Sequence, residues 1–553
     1  MPSRFAHGLR DPLVLLCLTA GLLAFVVQSG ELGTSDTTHR LQTTHWLWTP
    51  EPQVFSYEYP EFGLHGRGGR LYSWYGIGQS LLMLPADLVG TWIAHRAIFG
   101  DYSDDPSVND IIVSYSTNIL VTVLTALVAF RFLGQLRFTV KESVAGVLAL
   151  MFCTTHLHYT QNMMENNYIM LLTLTGFSFQ YEWLRTDRSS ALLLGSGALG
   201  LNLLTRLTTG LDLMAAGVFV LLVLRFDGAR LEQAGPQRPV ARGQWPRLLH
   251  YCKVTAPVYL SFLAIDRVYQ FYRFGSFTNT YVALFAREQR QIDPTLPANF
   301  PWTTPFPLGV LGPLFKPEKS IFLFDPLLIL TLFLLAWLWR RLTPELRAYG
   351  VATIGLLAAY ISFYARYTFW AGDFAWGDRY VSTAVELASL IGVPLLVHYR
   401  EALHRERWGQ TIWRAGCLLI VVSLLIQLAS LAFWLPLEIY QMETLGHPTF
   451  VIALRFKNIA AFALGKMDAW GLNTEAMTQD PWDYVHITTW NFLPFLLRRV
   501  GVAPGWVVSL AFATWLSATT ALGAALLRLR SSLRGVACGS RGPARDGKPE
   551  TNR

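Results

Sequence analysis

Long apolar runs recur along the chain from Leu13 to Leu527, and short polar segments separate them. A membrane-spanning helix needs roughly 20 consecutive, mostly apolar residues. Runs of suitable length lie at about 12–28, 111–130, 143–157, 166–184, 189–204, 207–225, 252–270, 320–339, 348–366, 380–398, 413–435 and 506–527. The pattern therefore predicts an all-α integral membrane protein, a polytopic helical bundle of about 12 spans.

The composition agrees with this pattern. Of the 553 residues, 52% are hydrophobic and only 15% are charged, and the mean hydropathy is +0.32. A soluble domain carries about 25% charged residues. These values exclude a soluble enzyme, a secreted disulfide scaffold and a DNA-binding protein.

Positive charge follows alternate loops between the predicted spans. Arginines and lysines concentrate at 131–141, 185–188, 225–253, 340–347 and 400–414, and after 528. Because cytoplasmic loops carry the excess of Lys and Arg, we expect both termini to be cytoplasmic. The net charge of +8 then reports orientation, and no nucleic-acid partner is expected. Arginine greatly outnumbers lysine, a bias typical of GC-rich bacterial genomes, which favours a bacterial inner (plasma) membrane.

One apolar run, Tyr75 to Ile98, does not fit as a span, because counting it would invert every later loop. The run also contains Asp87, His95 and Arg96. We predict a helix that lies in the outer membrane interface. Residues 29–110 would then form one long external loop.

The outer side carries most of the predicted extramembrane structure. Segments 271–319 and 436–505 are long, external and rich in Trp, Phe, Tyr and Pro. We divide the chain into a transmembrane catalytic module (1–400), a C-terminal transmembrane and external segment (401–530), and a disordered cytoplasmic tail (531–553). Long outer loops on a helical platform indicate a surface enzyme of the outer leaflet.

The first candidate for chemistry is Asp36, just past the first span, in the segment SDTTHR at 35–40. A carboxylate at the membrane exit is well placed to act as a general base on an acceptor hydroxyl or amine. Alternatively, Ser35 or Asp36 caps a short helix that runs to Trp48.

Two further segments lie at predicted outer junctions. The segment GRLYSWYGIGQS at 69–80 leads into the surface helix, and its Tyr72 and Tyr75 are candidate substrate-binding residues. Glu165 borders the hydrocarbon, where an ionisable group is costly and indicates function by default, so it is also a candidate substrate-binding residue. Its alternative is an interfacial carboxylate in contact with water.

Arginines at two other outer junctions are candidate phosphate ligands. Arg206 lies in a turn between two spans, and a guanidinium group binds phosphate through two parallel bonds. Its alternative is an interface anchor that reaches to lipid headgroups. The segment at 369–380 combines aromatic residues and glycines with Asp373, Asp378 and Arg379, which are candidate substrate-binding residues. An aromatic belt alone would explain its rings and would not require its two carboxylates.

These segments follow one another in a characteristic order. SDTTHR (35–40) precedes GRLYSWYGIGQS (69–80), then come Tyr-x5-Glu (159–165), LTR (204–206), FGS (274–276) and WAGDFAWGDRY (370–380). In this order, over about residues 12–400, the chain resembles the bacterial branch of the GT-C superfamily. These are polyprenyl-phosphate-dependent glycosyltransferases, related to the protein O-mannosyltransferases and the lipid A aminoarabinose transferases.

The resemblance implies roles for particular residues. The catalytic carboxylate of the first external loop maps onto Asp36, and two membrane-surface helices map onto 36–48 and 77–98. Arg206 and Arg379 would hold the lipid phosphate. The chain departs from the family where Thr37 replaces a common glutamate and where Asp378 replaces a common proline. We name no certain cofactor, and a divalent metal stays open.

We therefore predict an inverting membrane glycosyltransferase that moves a hexose or pentose from a polyprenyl-phosphate donor. The acceptor, a glycan, lipid or protein, would face the periplasm or exterior. One alternative is a transporter or flippase of lipid-linked sugars, which would place charges around a midplane cavity. Another is a noncatalytic membrane protein of envelope assembly.

Overall fold

The protein is almost entirely helical. The computed structural model describes residues 11–55, 63–100, 106–163, 165–233, 244–372, 375–434, 436–443, 445–466 and 489–539. Its N-terminal half contains α1 (Pro12–Val27), α2 (Ser35–Trp46), β1 (Gly63–His65), β2 (Leu71–Ser73), α3 (Gly78–Ala94), α4 (Val108–Gln135), α5 (Val140–Cys153), α6 (His156–Gln161), α7 (Glu165–Thr186), α8 (Ser189–Thr205), α9 (Gly210–Gln233) and α10 (Gln244–Phe274). β1 and β2 form one antiparallel hairpin, in which Leu64 lies opposite Tyr72.

The C-terminal half continues the bundle. It contains α11 (Tyr281–Ile292), α12 (Phe306–Phe315), α13 (Ile321–Phe324), α14 (Leu327–Leu338), α15 (Pro344–Tyr364), α16 (Ser382–Ser389), α17 (Gly392–His398), α18 (Arg400–His404), α19 (Gly409–Ser430), α20 (Pro436–Glu443), α21 (Val451–Ala463), α22 (Leu493–Val500) and α23 (Gly505–Gly539).

Every predicted span coincides with one helix or with two consecutive helices. Within the described residues, six helices are long and apolar enough to cross a membrane: Val108–Gln135, Leu207–Phe226, Trp245–Phe274, Pro344–Tyr364, Gly409–Ser430 and Gly505–Arg534. The chain is therefore a multi-pass helical membrane protein. The larger number of about 12 spans stays a prediction.

Exposed apolar side chains surround the bundle. On α10, Leu260 and Val268 are 63% and 60% exposed, and on α23 Leu516 and Leu527 are 57% and 65% exposed. Large apolar side chains exposed in such numbers along one helix are unfavourable in water. They fit a surface that faces hydrocarbon.

The centre of the bundle is built from aromatic rings on four helices. Phe132 of α4 lies 5.2 Å from Tyr349 of α15, measured between ring centroids. Phe177 of α7 stacks on Phe219 of α9 at 5.5 Å. Burial of large rings in this edge-to-face and stacked arrangement stabilises helix packing beyond the area alone.

Ion pairs join the predicted cytoplasmic loops to one another. The pairs are Arg137 with Glu345 (3.3 Å), Arg247 with Asp187 (2.9 Å) and Arg341 with Glu406 (2.6 Å). Loops that the charge pattern assigns to one side thus contact each other at one end of the bundle. Which end faces the cytoplasm stays a prediction.

Helix α3 occupies most of the apolar run that was predicted as a surface helix. Its exposed face carries Leu88, Val89 and Trp92, whereas Gln79 and Asp87 are buried on the opposite face. This is the reverse of a soluble amphipathic helix, and it suits a helix with its apolar face in lipid. The helix is confirmed, and its position in the membrane interface stays a prediction.

The C-terminal helix packs against the first helix of the chain. Trp515 Nε1 donates to the carbonyl of Val26 at 2.9 Å. Helix α23 continues to Gly539, into the predicted disordered tail, because Leu529 is buried and Leu533 packs against the core. Disorder of the tail after residue 530 stays a prediction, and 540–553 lie outside the described residues. The domain boundary at residue 400 stays a prediction.

Asp87 joins three elements of the segment 29–110, which was predicted to be an external loop. Its carboxylate accepts hydrogen bonds from His45 Nδ1 (3.0 Å), Trp48 Nε1 (2.8 Å) and Asn109 Nδ2 (2.9 Å). The side chain is fully buried. The end of α2, the middle of α3 and the start of α4 are thereby held together.

We expect Asp87→Ala to destabilise this loop, because three part-buried hydrogen bonds lose the acceptor that they share. The loss should be about 1–3 kcal/mol. Thermal unfolding in detergent measures it, and Asp293→Ala, at an exposed helix end, is the control. Equal melting temperatures for both variants would contradict the structural role of Asp87.

Candidate active site

A cavity of about 230 Å³ lies between α2, the segment after β2, the turn from α8 to α9, α10, α11 and the segment before α16. Its charged lining residues are Asp36, Arg40, Arg206, Asp266 and Arg379. These come from parts of the sequence that are hundreds of residues apart. The fold thus gathers most of the predicted outer junctions around one space.

Asp36 lies in the first turn of α2, and its carboxylate has two close partners. Tyr75 donates its hydroxyl to Oδ1 at 2.5 Å, and Arg379 Nη1 donates to Oδ2 at 2.6 Å. The N-cap residue of α2 is Thr34, and no side chain caps this helix. The helix-cap interpretation of Ser35 and Asp36 is therefore wrong.

Glu165, at the start of α7, holds two arginines. Its Oε2 lies 2.8 Å from Arg40 Nη2, and its Oε1 accepts a hydrogen bond from Arg206. The guanidinium group of Arg40 also lies over the ring of Tyr75, 4.1 Å from the centroid. The charges therefore form one chain, from Arg206 through Glu165, Arg40, Tyr75 and Asp36 to Arg379.

The glycines of the 69–80 segment explain how Tyr75 reaches Asp36. A Cβ at Gly76 would lie 2.1 Å from the carbonyl oxygen of Leu204, and one at Gly78 would lie 2.3 Å from Oγ1 of Thr205. Only residues without a side chain allow this segment to run so close to the end of α8. The end of α8 carries Arg206, so the same contact brings Tyr75 and Arg206 to one cavity.

The electrostatics keep both carboxylates charged. Burial alone raises the pKa of Asp36, but Arg379, Arg40 and the hydrogen bond from Tyr75 outweigh it and lower the pKa to about 2. Burial likewise raises the pKa of Glu165, and Arg206 and Arg40 outweigh it, so the net shift is downward. Nearby opposite charges favour the ionised form.

Aromatic rings form much of the rest of the cavity lining. Trp74, Tyr281, Phe285, Tyr367, Phe369 and Tyr380 contribute. Trp74 and Phe285 lie 5.0 Å apart, and Tyr367 and Phe369 lie 5.6 Å apart, measured between centroids. The cavity thus offers a charged region and a continuous aromatic region, which together suit a ligand with an anionic group and an apolar face.

Of the residues predicted to bind substrate, Tyr72, Glu165 and Asp378 do not line this cavity. Tyr72 packs its ring against Phe274, 5.9 Å away. Asp378 accepts a hydrogen bond from the backbone N–H of Tyr380 at 3.0 Å, and burial raises its pKa to about 7. Asp373 lies outside the described residues. A ligand contact of these four residues stays a prediction.

Sequence analysis missed two arginines at the site. Arg40 is four residues after Asp36 on the same helix, a spacing that places both side chains on one face. That spacing could have identified it. Arg273, fully buried at the end of α10, donates to the carbonyls of Ser73 and Tyr75 and fixes this segment. Its position at the end of an apolar run gave no signal.

The divalent metal that the sequence left open has no confirmed ligands. In the described part of the chain, no group of three or more His, Cys, Asp or Glu side chains is arranged to hold a metal ion. The metal stays a prediction, and the charged region of the cavity is supplied by arginines.

The ionisation of Asp36 should appear in the pH dependence of stability. Because the folded pKa lies below the unfolded value of about 4, the stabilisation is complete above pH 4 and is lost as the pH falls towards 2. The shift corresponds to about 2 kcal/mol. We expect Asp36→Asn to be less stable than wild type by this amount at pH 6, and the difference to vanish near pH 2. A difference that is constant over this range in thermal unfolding would contradict the ion pair.

Comparisons with known proteins identify no family for this chain. No family model matches it, and no curated protein matches it. Among solved structures, it is similar to the crystal structure of the Archaeoglobus fulgidus oligosaccharyltransferase tethered to an acceptor peptide that contains the NVT sequon. The TM-score is 0.39 and the identity 11%, over 76% of this chain and 54% of that one. The match spans about half of the archaeal structure, and at this TM-score it carries no inference about function.

Proposed function

We propose that the protein is a membrane glycosyltransferase that moves a sugar from a polyprenyl-phosphate donor to an acceptor on the outer face of the membrane. The observation that carries the proposal is the cavity in which Asp36, three arginines and a set of aromatic rings converge. A carboxylate can take a proton, guanidinium groups suit phosphate, and aromatic rings suit the apolar face of a sugar.

In this reaction Asp36 acts as the general base. Its carboxylate takes the proton from the acceptor hydroxyl or amine as the nucleophile attacks the anomeric carbon of the donor. The bond from that carbon to the phosphate oxygen breaks, the configuration inverts, and polyprenyl phosphate leaves. Guanidinium groups at fixed positions stabilise the negative charge that develops on the phosphate.

In this proposal Tyr75 and the other charged residues of the site have roles that differ from that of Asp36. Tyr75 holds Oδ1 of Asp36, and Glu165 holds Arg40 and Arg206. Tyr75 and Glu165, which were predicted to bind substrate, would thus act by positioning the base and the cations. Arg379 contacts Asp36 directly and lines the same cavity, so it remains a candidate ligand of the phosphate.

The site lies among the loops that the charge pattern assigns to the exterior, which fits a donor in the outer leaflet. The sugar, its polyprenyl carrier and the acceptor, whether glycan, lipid or protein, are matters for experiment. The bacterial inner membrane and the cytoplasmic termini belong to the same proposal.

A second candidate, a flippase of lipid-linked sugars, is favoured by acids within the bundle. Asp325 and Glu386 are both buried. Asp325 accepts a hydrogen bond from the backbone N–H of Thr155, and Glu386 contacts Nδ1 of the next residue in the chain, His156. Ionisable groups inside membrane helices often mark a transport path. A flippase would move the donor without releasing its lipid phosphate, so the products separate the two functions. In the other alternative, a noncatalytic role in envelope assembly, loss of Asp36 would leave function intact.

Purified protein should release polyprenyl phosphate from at least one member of a panel of polyprenyl-phosphate sugars when acceptors are supplied. Asp36→Asn removes the basic charge and should lower turnover by about 10²–10⁴-fold. Turnover is compared per folded molecule at neutral pH, with Asp293→Asn as the control. Turnover of Asp36→Asn within a few-fold of wild type would remove Asp36 as the base. Absence of release from every donor would remove the proposed function.

A further inference from the structure

Each of the two buried carboxylates at the site has two partners. Glu165 is held by Arg40 and also by Arg206, and Asp36 is held by Arg379 and also by Tyr75. A buried carboxylate that loses all of its partners is strongly destabilised. If Arg40 or Arg379 turned to a ligand, its carboxylate would still keep one donor, Arg206 or Tyr75.

Arg40 and Arg379 also have hydrogen-bond donors that no described residue uses. Nε and Nη1 of Arg40 and Nε of Arg379 are buried and make no hydrogen bond within the described residues. Both side chains line the cavity. Buried donors without an acceptor are unfavourable, so a ligand that supplies acceptor oxygens at this place would be bound more tightly for it.

The charge balance of the cluster indicates the charge of that ligand. Arg40, Arg206 and Arg379 carry three positive charges, and Asp36 and Glu165 carry two negative ones. Asp266, at the cavity lining, is paired with its own neighbour Arg267. One positive charge is therefore in excess, and a phosphodiester, the linkage between a sugar and a polyprenyl phosphate, carries one negative charge.

The two arginines also have the right position relative to the base. Arg379 contacts Asp36 directly, and Arg40 lies on the ring of Tyr75, whose hydroxyl contacts Asp36. Arg206 instead contacts Glu165. A phosphate bound by Arg40 and Arg379 would lie next to Asp36, as a donor must if its anomeric carbon is to be attacked there.

We propose that Arg40 and Arg379 bind the donor phosphate by exchanging their carboxylate partners for it, while Arg206 keeps Glu165 and Tyr75 keeps Asp36. This rests on the proposed function, since it takes the anion to be the donor phosphate. When Arg379 turns to the phosphate, Asp36 loses its nearest cation and becomes a stronger base. The base is thus activated by the substrate on which it acts.

Binding to the purified protein in nanodiscs tests the exchange without any turnover. The probes are a polyprenyl phosphate, the uncharged polyprenol of the same length, and inorganic phosphate, each measured by calorimetry. Arg40→Gln and Arg379→Gln should each weaken binding of polyprenyl phosphate by about tenfold or more, since each removes charge-assisted hydrogen bonds. Arg131→Gln is the matched control and should bind polyprenyl phosphate as the wild type does. Like Arg40, Arg131 pairs with a glutamate, Glu182, and lies over an aromatic ring, that of Phe179.

The carboxylate variants distinguish the exchange from a positioning role, because the two predict opposite changes in affinity for polyprenyl phosphate. If the carboxylates compete with phosphate for the arginines, Glu165→Gln and Asp36→Asn should bind polyprenyl phosphate several-fold more tightly than wild type. If they instead position the arginines for the phosphate, both variants bind more weakly, and the exchange is overturned. For any glutamine variant that does not fold, Arg40→Lys or Arg379→Lys replaces it and should also bind more weakly.

The probes separate the possible failures. Competition by inorganic phosphate supports recognition of the phosphate group itself, whereas equal binding of polyprenol and polyprenyl phosphate overturns it. Wild-type affinity in Arg40→Gln overturns the inference even if sugar transfer is found. The predicted binding pattern without sugar transfer from any donor supports the exchange as a phosphate-binding device and removes the proposed transferase instead.

Discussion

The cost of burying charge is the constraint on which the site depends. Taking a charged side chain out of water costs several kcal/mol unless partners surround it. Asp36 and Arg379 are 343 positions apart in the sequence and yet form a buried ion pair. Four separate segments must therefore meet in one arrangement before all of these charges are compensated. The chain of ion pairs specifies how these segments are joined at one end of the bundle.

A second constraint comes from the membrane, and it explains why the helices were readable from the sequence. Helices that face hydrocarbon need apolar residues all round, so each appears as a long uninterrupted run. Helix α3 was also recognisable, because Asp87 and Arg96 interrupt an otherwise apolar run. The hairpin, whose strands have three residues each, and the short helices α6, α13 and α18 could not be recognised in the sequence. Elements this short show no hydrophobic periodicity.

Residues of the site were predictable at the level of segments and less so at the level of side chains. Asp36, Tyr75, Glu165, Arg206 and Arg379 were found because each lies in a segment that was predicted to be an outer junction. Whether a particular side chain faces the cavity depends on local turns that the sequence shows only in part. Gly377, with φ at +71°, turns the chain before Asp378, which bonds back to the backbone of Tyr380 while the next residue, Arg379, enters the cavity.

A low pKa and general-base chemistry appear opposed, since a base works best when its pKa is near the operating pH. The opposition holds only for the cavity without ligand. Arg379 and Arg40 are the largest causes that lower the pKa of Asp36, and in the proposed exchange a phosphate in the cavity competes for both. By contrast, Tyr75 reaches Asp36 from a segment fixed by close backbone contacts at Gly76 and Gly78. In the proposed exchange Tyr75 therefore goes on orienting the carboxylate, while the phosphate draws away the cations that suppress its basicity most.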